Sequence, residues 1–177
     1  MDERIYQNDN PADEKVLRGK TKKFSFSSKG EPIFEGKQFS RAEFSKLVLT
    51  MRKVMKQANG IGLSANQIGL PYRMFVAQVP TIQGDQKFYT VLNPEIEKDG
   101  KEKVEQEEGC LSVVGTYGLV ERPERVTLRG FDRNGKTVKI KAWGLLARVF
   151  QHEVDHLEGK LFIDKAKGLH KMEPVHE

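Results

Sequence analysis

Gly144-Leu145-Leu146-Ala147-Arg148-Val149-Phe150-Gln151-His152-Glu153-Val154-Asp155-His156-Leu157-Glu158-Gly159 is the stretch on which the reading of this chain turns. Leu145, Val149, His152 and His156 recur on one helical stripe, and Leu146, Phe150, Glu153 and Leu157 form its neighbour, so the spacing predicts a largely buried helix that Gly159 stops. Inside it, His152 to His156 reads H-E-x-x-H. Side chains four apart lie one turn above one another, so both imidazoles can reach a single metal ion while Glu153 stands beside them as a base for an activated water. A helix carrying two ordinary histidines is the competing reading.

Two histidines leave a catalytic metal short of a ligand, because such sites use three protein ligands and keep one position open. Asp155, Glu158 and Asp164 are near in sequence, but Asp155 and Glu158 fall on other faces of the helix. Cys110 is the better candidate. It sits in Glu107-Glu108-Gly109-Cys110-Leu111-Ser112, where glycine permits close backbone approach and a metal would hold the sulfur as thiolate. Taken alone, a cysteine beside Leu111 and Val113 is more often a small buried hydrophobe than a ligand, and the H-E-x-x-H motif shifts that balance. A further stretch, Gly60-Ile61-Gly62-Leu63-Ser64-Ala65-Asn66-Gln67, is rich in small residues but lacks the endings of a P-loop or a dinucleotide fingerprint.

Working outward, Ser40-Arg41-Ala42-Glu43 has capping-box spacing, and Phe44, Leu47, Val48, Met51, Val54 and Met55 follow with helical period. That helix should run to Asn59-Gly60, with Gly60 ending it in a left-handed conformation. Between Arg73 and Arg129 the chain reads as short strands: Met74–Val79, Lys87–Leu92, a polar run near Val104, then Val126–Phe131. Asp132-Arg133-Asn134-Gly135, with its Asn-Gly turn chemistry, joins the last of these to Lys136–Lys141 as an antiparallel hairpin. Leu161-Phe162-Ile163 adds one short strand before a polar end. Residues 1–39 mix charge, Gly, Pro and Ser with scattered apolar residues and form a poorly defined N-terminal segment. The expected architecture is one α+β domain over residues 1–177, with antiparallel strands around a central H-E-x-x-H helix.

Composition sets the broad class. The 177 residues suit one core, and 37% hydrophobic with 31% charged residues describes a folded, solvated chain. No apolar run approaches the ~20 residues needed to span a bilayer, and the acidic start Met1-Asp2-Glu3-Arg4 is unlike a targeting signal, so a cytoplasmic protein with no membrane partner is expected. One cysteine forbids an internal disulfide. The net charge of +5 is spread among acidic residues, which favours a solvated surface over direct DNA binding, although basic character also suits transient residence near the ribosome.

G-I-G-L-S-A-N-Q, E-G-C-L-S and H-E-V-D-H, at residues 60–67, 108–112 and 152–156, occur in the order found in peptide deformylases. The resemblance runs to about Asp164, through Val120-Glu121-Arg122-Pro123 and Gly144-Leu145-Leu146-Ala147-Arg148. It implies a hydrolase of N-terminal methionine processing in protein biosynthesis, removing formyl groups from the formyl-methionine of nascent polypeptides. By the same resemblance Cys110, His152 and His156 bind one divalent metal ion, natively Fe(II), with Zn, Ni or Co as substitutes. Glu153 then shuttles the proton, and the Gln67 side-chain amide and the Leu111 backbone N–H stabilise the oxyanion. Ile61 and Gly62 lie along the peptide, Ile61, Leu145 and Val149 wall the methionine pocket, and Arg122 pairs with Asp155 behind the metal ligands.

Three positions depart from the family pattern. Ser64 stands where alanine is usual, Val114 replaces a proline and should loosen the loop from Cys110 to Arg122, and Tyr117 falls near a position where many relatives carry a substrate-contacting arginine. Two other readings of the same residues are an H-E-x-x-H metallopeptidase, which needs neither Cys110 nor Gln67, and a catalytically silent metal-binding protein.

Overall fold

The computed structural model describes residues 3–81, 83–98 and 101–172. The chain opens with α1 (Pro11–Leu17), capped by the Asn10 side chain, and a small antiparallel sheet of β1 (Ser25–Phe26), β2 (Pro32–Phe34) and β3 (Lys37–Gln38). Helix α2 (Arg41–Gln57) follows, and its Ser40/Glu43 capping box forms with both reciprocal bonds in place. The buried face of α2 is Phe44, Leu47, Val48, Met51, Val54 and Met55, the stripe marked by the helical period.

The central sheet has the order β10-β9-β6-β5-β4, every neighbour antiparallel, from β4 (Gly62–Ser64), β5 (Met74–Pro80), β6 (Gln86–Lys98), β9 (Arg125–Phe131) and β10 (Thr137–Trp143). Its inner strand β5 is buried on both faces. Met74 and Val76 of β5 pack with α2, while Phe75, Ala77 and Val79 pack with α3 (Gly144–Leu157), because successive side chains on a strand point to opposite sides. β6 kinks at Asn93, whose left-handed φ of 50° coincides with the register shift between Leu92 and Glu95. The Asn93 side chain there exchanges two hydrogen bonds with the Phe24 backbone, each of 2.9 Å, which ties the N-terminal segment to the sheet.

The third sheet, β11-β8-β7, comprises β7 (Lys103–Cys110), β8 (Val113–Pro123) and β11 (Lys167–Lys171). α3 therefore lies on the central sheet and also meets β8 of the third one, and the cleft between the two sheets opens beside it.

Three local expectations change. Asn59, with φ 54°, and not Gly60, takes the left-handed position after α2; Gly60 instead allows close packing, since a Cβ there would lie 2.5 Å from Leu111 Cδ1. The hairpin of β9 and β10 forms as expected, its turn lying between Phe131 and Thr137 with Gly135 left-handed at φ 72°. Phe162–Asp164 is a single 3₁₀ turn and no strand, because the Asp164 carboxylate caps the Leu161 N–H at 2.8 Å. The stretch from Cys110 to Arg122 is no loose loop: a tight turn at Leu111-Ser112 leads straight into β8, where Val114 is simply exposed.

Candidate active site

Three elements converge on one point. β7 ends at Cys110, α3 presents His152 and His156 from successive turns, and the 3₁₀ turn Ala65–Ile68 after β4 carries Gln67. Cys110 Sγ lies 3.2 Å from His156 Nε2, the two imidazole Nε2 atoms lie 3.3 Å apart, and all three ligand atoms fall within 4.8 Å of one another.

The donor set fits a cation. Glu108 lies 3.0 Å from His152 Nδ1, so a proton belongs on that nitrogen, and Nε2 faces His156 and Cys110. Burial opposes charge on either ring, but the hydrogen bonds of His152 to Cys110 and Glu108 raise it to about 10. His156 moves the other way, well below its ordinary value, through burial and then the charge of His152. One sulfur and two imidazole nitrogens converging within 4.8 Å make a donor set that suits a divalent metal ion.

Glu108 is a residue that the sequence reading passed over. It is 7% exposed, accepts from Arg122 Nε at 2.6 Å and Nη2 at 2.9 Å, and accepts from Arg148 Nη1 at 2.6 Å. Burial disfavours its charge, yet hydrogen bonds from Arg122 and His152 prevail and hold the carboxyl well below the usual range. Arg122 also pairs with Asp155 at 2.7 Å, a contact expected behind the candidate ligands, and Lys165 reaches the same carboxylate at 2.6 Å.

Glu153 is 3% exposed, and burial raises its carboxyl to about 6, against the opposing charge of His152 and the hydrogen bond from Ser64. A group poised near neutrality can both accept and return a proton. Gln67 is oriented from both ends: its Oε1 accepts from Ser64 N–H at 2.9 Å, and its Nε2 donates to Ser112 Oγ at 3.1 Å and points toward Cys110 Sγ at 3.8 Å.

The cleft above these groups has a volume of about 510 Å³. Ile61, Gly62, Gln67, Cys110, Leu111, Leu145, Val149, His152 and Glu153 all line it, while His156 lies behind, 1% exposed. Leu145 and Ile61 are half-exposed at its mouth, and Val149 is buried deeper. Tyr117 joins the lining, with Arg148 and Glu107.

The N-terminal segment supports the same groups from outside the cleft. Tyr6 N–H donates to Gln67 O at 2.7 Å, Asn8 N–H to Ser112 O at 2.9 Å, and Gln7 Nε2 to Leu111 O at 3.0 Å. Asp13 holds that segment by accepting from Gln7 N–H at 3.1 Å and from both Arg4 Nη atoms. No sequence motif signalled these contacts, since most of them run to backbone atoms.

Comparison with known proteins agrees with this geometry. A family model described as polypeptide deformylase matches residues 13–172. A peptide deformylase of Thermodesulfovibrio yellowstonii is 45% identical over 127 residues, covering 72% of this chain and 76% of that protein. One from Halothermothrix orenii is 45% identical over 141 residues, covering 77% and 88%. Among solved structures, a probable peptide deformylase from Synechococcus phage S-SSM7 superposes with a TM-score of 0.76 at 34% identity, covering 92% of this chain and 98% of that one. The peptide deformylase of Synechococcus elongatus, solved in complex with actinonin, gives 0.75 at 32% identity, covering 93% and 79%.

Proposed function

The chain belongs to the peptide deformylase family, and we propose a specific division of labour in its cleft for removing the formyl group from the N-terminus of nascent peptides. Membership makes it a metal-dependent hydrolase and favours that reading over an H-E-x-x-H metallopeptidase or a silent metal-binding protein. The observation that carries the assignment of roles is the meeting of Cys110, His152 and His156 within 4.8 Å, with Gln67 beside the sulfur.

Cys110 Sγ and the Nε2 atoms of His152 and His156 would hold the ion. A divalent metal there supplies Lewis acidity, which makes a water nucleophilic near neutral pH and polarises the formyl carbonyl. Glu153 takes the proton of the attacking water and returns it to the departing amine, so the C–N bond breaks to give formate and a free N-terminus. Its Oε1 is placed for this over Gly62, where a Cβ would come within 2.2 Å of it. As the carbonyl oxygen becomes negative, the Gln67 amide and the Leu111 N–H donate to it; Ser64 N–H orients the Gln67 amide, and Gln7 ties down the Leu111 carbonyl.

Substrate enters as a strand. β4 ends the central sheet and β7 ends the third, so two sheet edges face each other across the cleft. An extended peptide laid between them meets the backbone of Ile61 and Gly62 on one side and of β7 on the other. The methionine side chain then packs against Ile61, Leu145 and Val149, an apolar wall that suits a thioether.

Fe(II) is the proposed native ion, since thiolate with two imidazoles accepts several metals and the family resemblance selects among them. The cytoplasm is the proposed location, in keeping with nascent-chain substrates; among the described residues no helix is long and apolar enough to cross a membrane. Transient ribosome association, absence of DNA binding and one domain over residues 1–177 complete the proposal.

Release of formate from formyl-Met-Ala-Ser by anaerobically prepared, Fe(II)-loaded protein tests it. Release that disappears in Glu153→Gln while the metal stays bound supports these roles. Metal-replete protein that releases no formate would overturn them.

A further inference from the structure

We propose that Ser64 is a positioning residue that fixes the proton-transferring carboxylate of Glu153, an inference that rests on the deformylase reading. Ser64 is fully buried at the end of β4. Its hydroxyl lies 2.7 Å from Glu153 Oε2 and 2.9 Å from the Glu153 carbonyl oxygen. A hydroxyl has one proton to give, and the carboxylate is the stronger acceptor.

Gly62 and Ser64 are two residues apart on a strand, so they face the same side. Together they shape the seat of one side chain. Gly62 leaves the space into which Glu153 Oε1 projects, and Ser64 holds Oε2. Pinning one oxygen fixes the torsion of the carboxylate, so the other oxygen stays aimed into the cleft. Alanine at this position would leave Oε2 without that donor in a buried place, and the carboxylate would turn to find another.

The backbone of the same residue does a separate job. Ser64 N–H donates to Gln67 Oε1 at 2.9 Å, which turns the Gln67 amide toward the sulfur. That bond survives any non-proline substitution, whereas the hydroxyl bond does not. Replacing Ser64 by alanine therefore separates the proton-transfer group from the oxyanion donor. A serine present only to satisfy its own hydroxyl on the helix carbonyl would leave turnover unchanged when removed.

The test compares wild-type, Ser64→Ala and Ser64→Thr proteins loaded with Fe(II), reading kcat and KM for formyl-Met-Ala-Ser, metal per chain, and the Glu153 position in crystals of each. The expected result for Ser64→Ala is a fall in kcat of about tenfold, the scale of one hydrogen bond to a charged group, with KM and metal content held. Ser64→Thr should recover most of the loss, and Glu153 Oε1 should leave its place over Gly62 in the alanine variant only. Unchanged kcat, a loss matched by metal loss, a loss that threonine does not restore, or an unmoved carboxylate would overturn the proposal. The carboxylate position is read without turnover. Wild-type protein that releases no formate would therefore sink the deformylase reading while the crystals still decide the role of Ser64.

Discussion

Arg122 grips Glu108 through two parallel hydrogen bonds, Nε to Oε1 at 2.6 Å and Nη2 to Oε2 at 2.9 Å, and the same carboxylate then faces His152 Nδ1 at 3.0 Å. The fork fixes the plane of the carboxylate, which in turn fixes the tautomer and rotation of the imidazole. Glu108→Gln keeps the volume but leaves Arg148 buried without its counter-charge and Arg122 with Asp155 as its remaining partner. Loss of one member of such a buried pair costs about 3–5 kcal/mol, and loss of the partner to a ligating histidine lowers metal affinity about 10–100-fold. Denaturant unfolding and competition with a metal chelator should show both effects; a variant as stable and as metal-tight as wild type would mean that the fork is ornamental.

Asp13 makes the N-terminal segment acid-sensitive. Hydrogen bonding from Arg4, against burial and with help from Gln7 N–H, holds its carboxyl below the ordinary value. A carboxyl lowered in the folded state stabilises the fold above its unfolded pKa of about 4. That contribution disappears as pH falls through the lower folded value. Wild-type stability should therefore fall more steeply between pH 5 and 3, on the order of the carboxylate range, than that of Asp13→Asn, which is less stable at neutral pH. Parallel acid limbs for the two proteins would show that Asp13 contributes nothing through its charge.

The elements that the sequence disclosed most fully are those whose pattern repeats. The apolar period of α2, its Ser40/Glu43 cap and the H-E-V-D-H turn of α3 are local, and the helices follow them. The motif residues of the site also meet as expected, because the two histidines share a helix face and Cys110 ends the strand beside it. What stayed hidden depends on chain reversal. Glu108 reads as one of several glutamates in a polar strand until β8 brings Arg122 onto it, while Tyr6 and Asn8 act through their backbone N–H groups and Gln7 through a side-chain bond to a distant carbonyl, none of which leaves a mark in the sequence. Asn59 took the turn assigned to Gly60 because asparagine tolerates a left-handed φ, while the glycine was needed against Leu111.

Tyr117 bears on substrate affinity. Its ring covers Gly109, where a Cβ would lie 2.7 Å from it, and stacks on His170 of β11 with ring centroids 6.2 Å apart. It thus forms part of the wall of the cleft. Tyr117→Ala removes a flat surface worth about 1 kcal/mol to a passing peptide, so KM should rise about fivefold with kcat unchanged. Equal falls in kcat and kcat/KM would place the ring at the reacting centre instead.

Gly62→Ala probes the space that the base requires. Gly62 has an ordinary backbone conformation, so the added methyl costs no strain in φ; its penalty is steric, with the new Cβ 2.2 Å from Glu153 Oε1 and 2.8 Å from Cδ. Either the carboxylate or β4 must move, and β4 is paired along its length with β5 through Gly62–Ala77, Leu63–Val76 and Ser64–Phe75. The side chain is the softer of the two, so it yields and takes the proton acceptor out of line. General acid–base catalysis contributes about 10²–10⁴-fold, and a displaced carboxylate should forfeit about 10²-fold of kcat while Cys110, His152 and His156 retain their metal. Formate release measured beside metal content separates this outcome from damage to the ligands, and near-wild-type turnover would show that Glu153 does not work from its seat over Gly62.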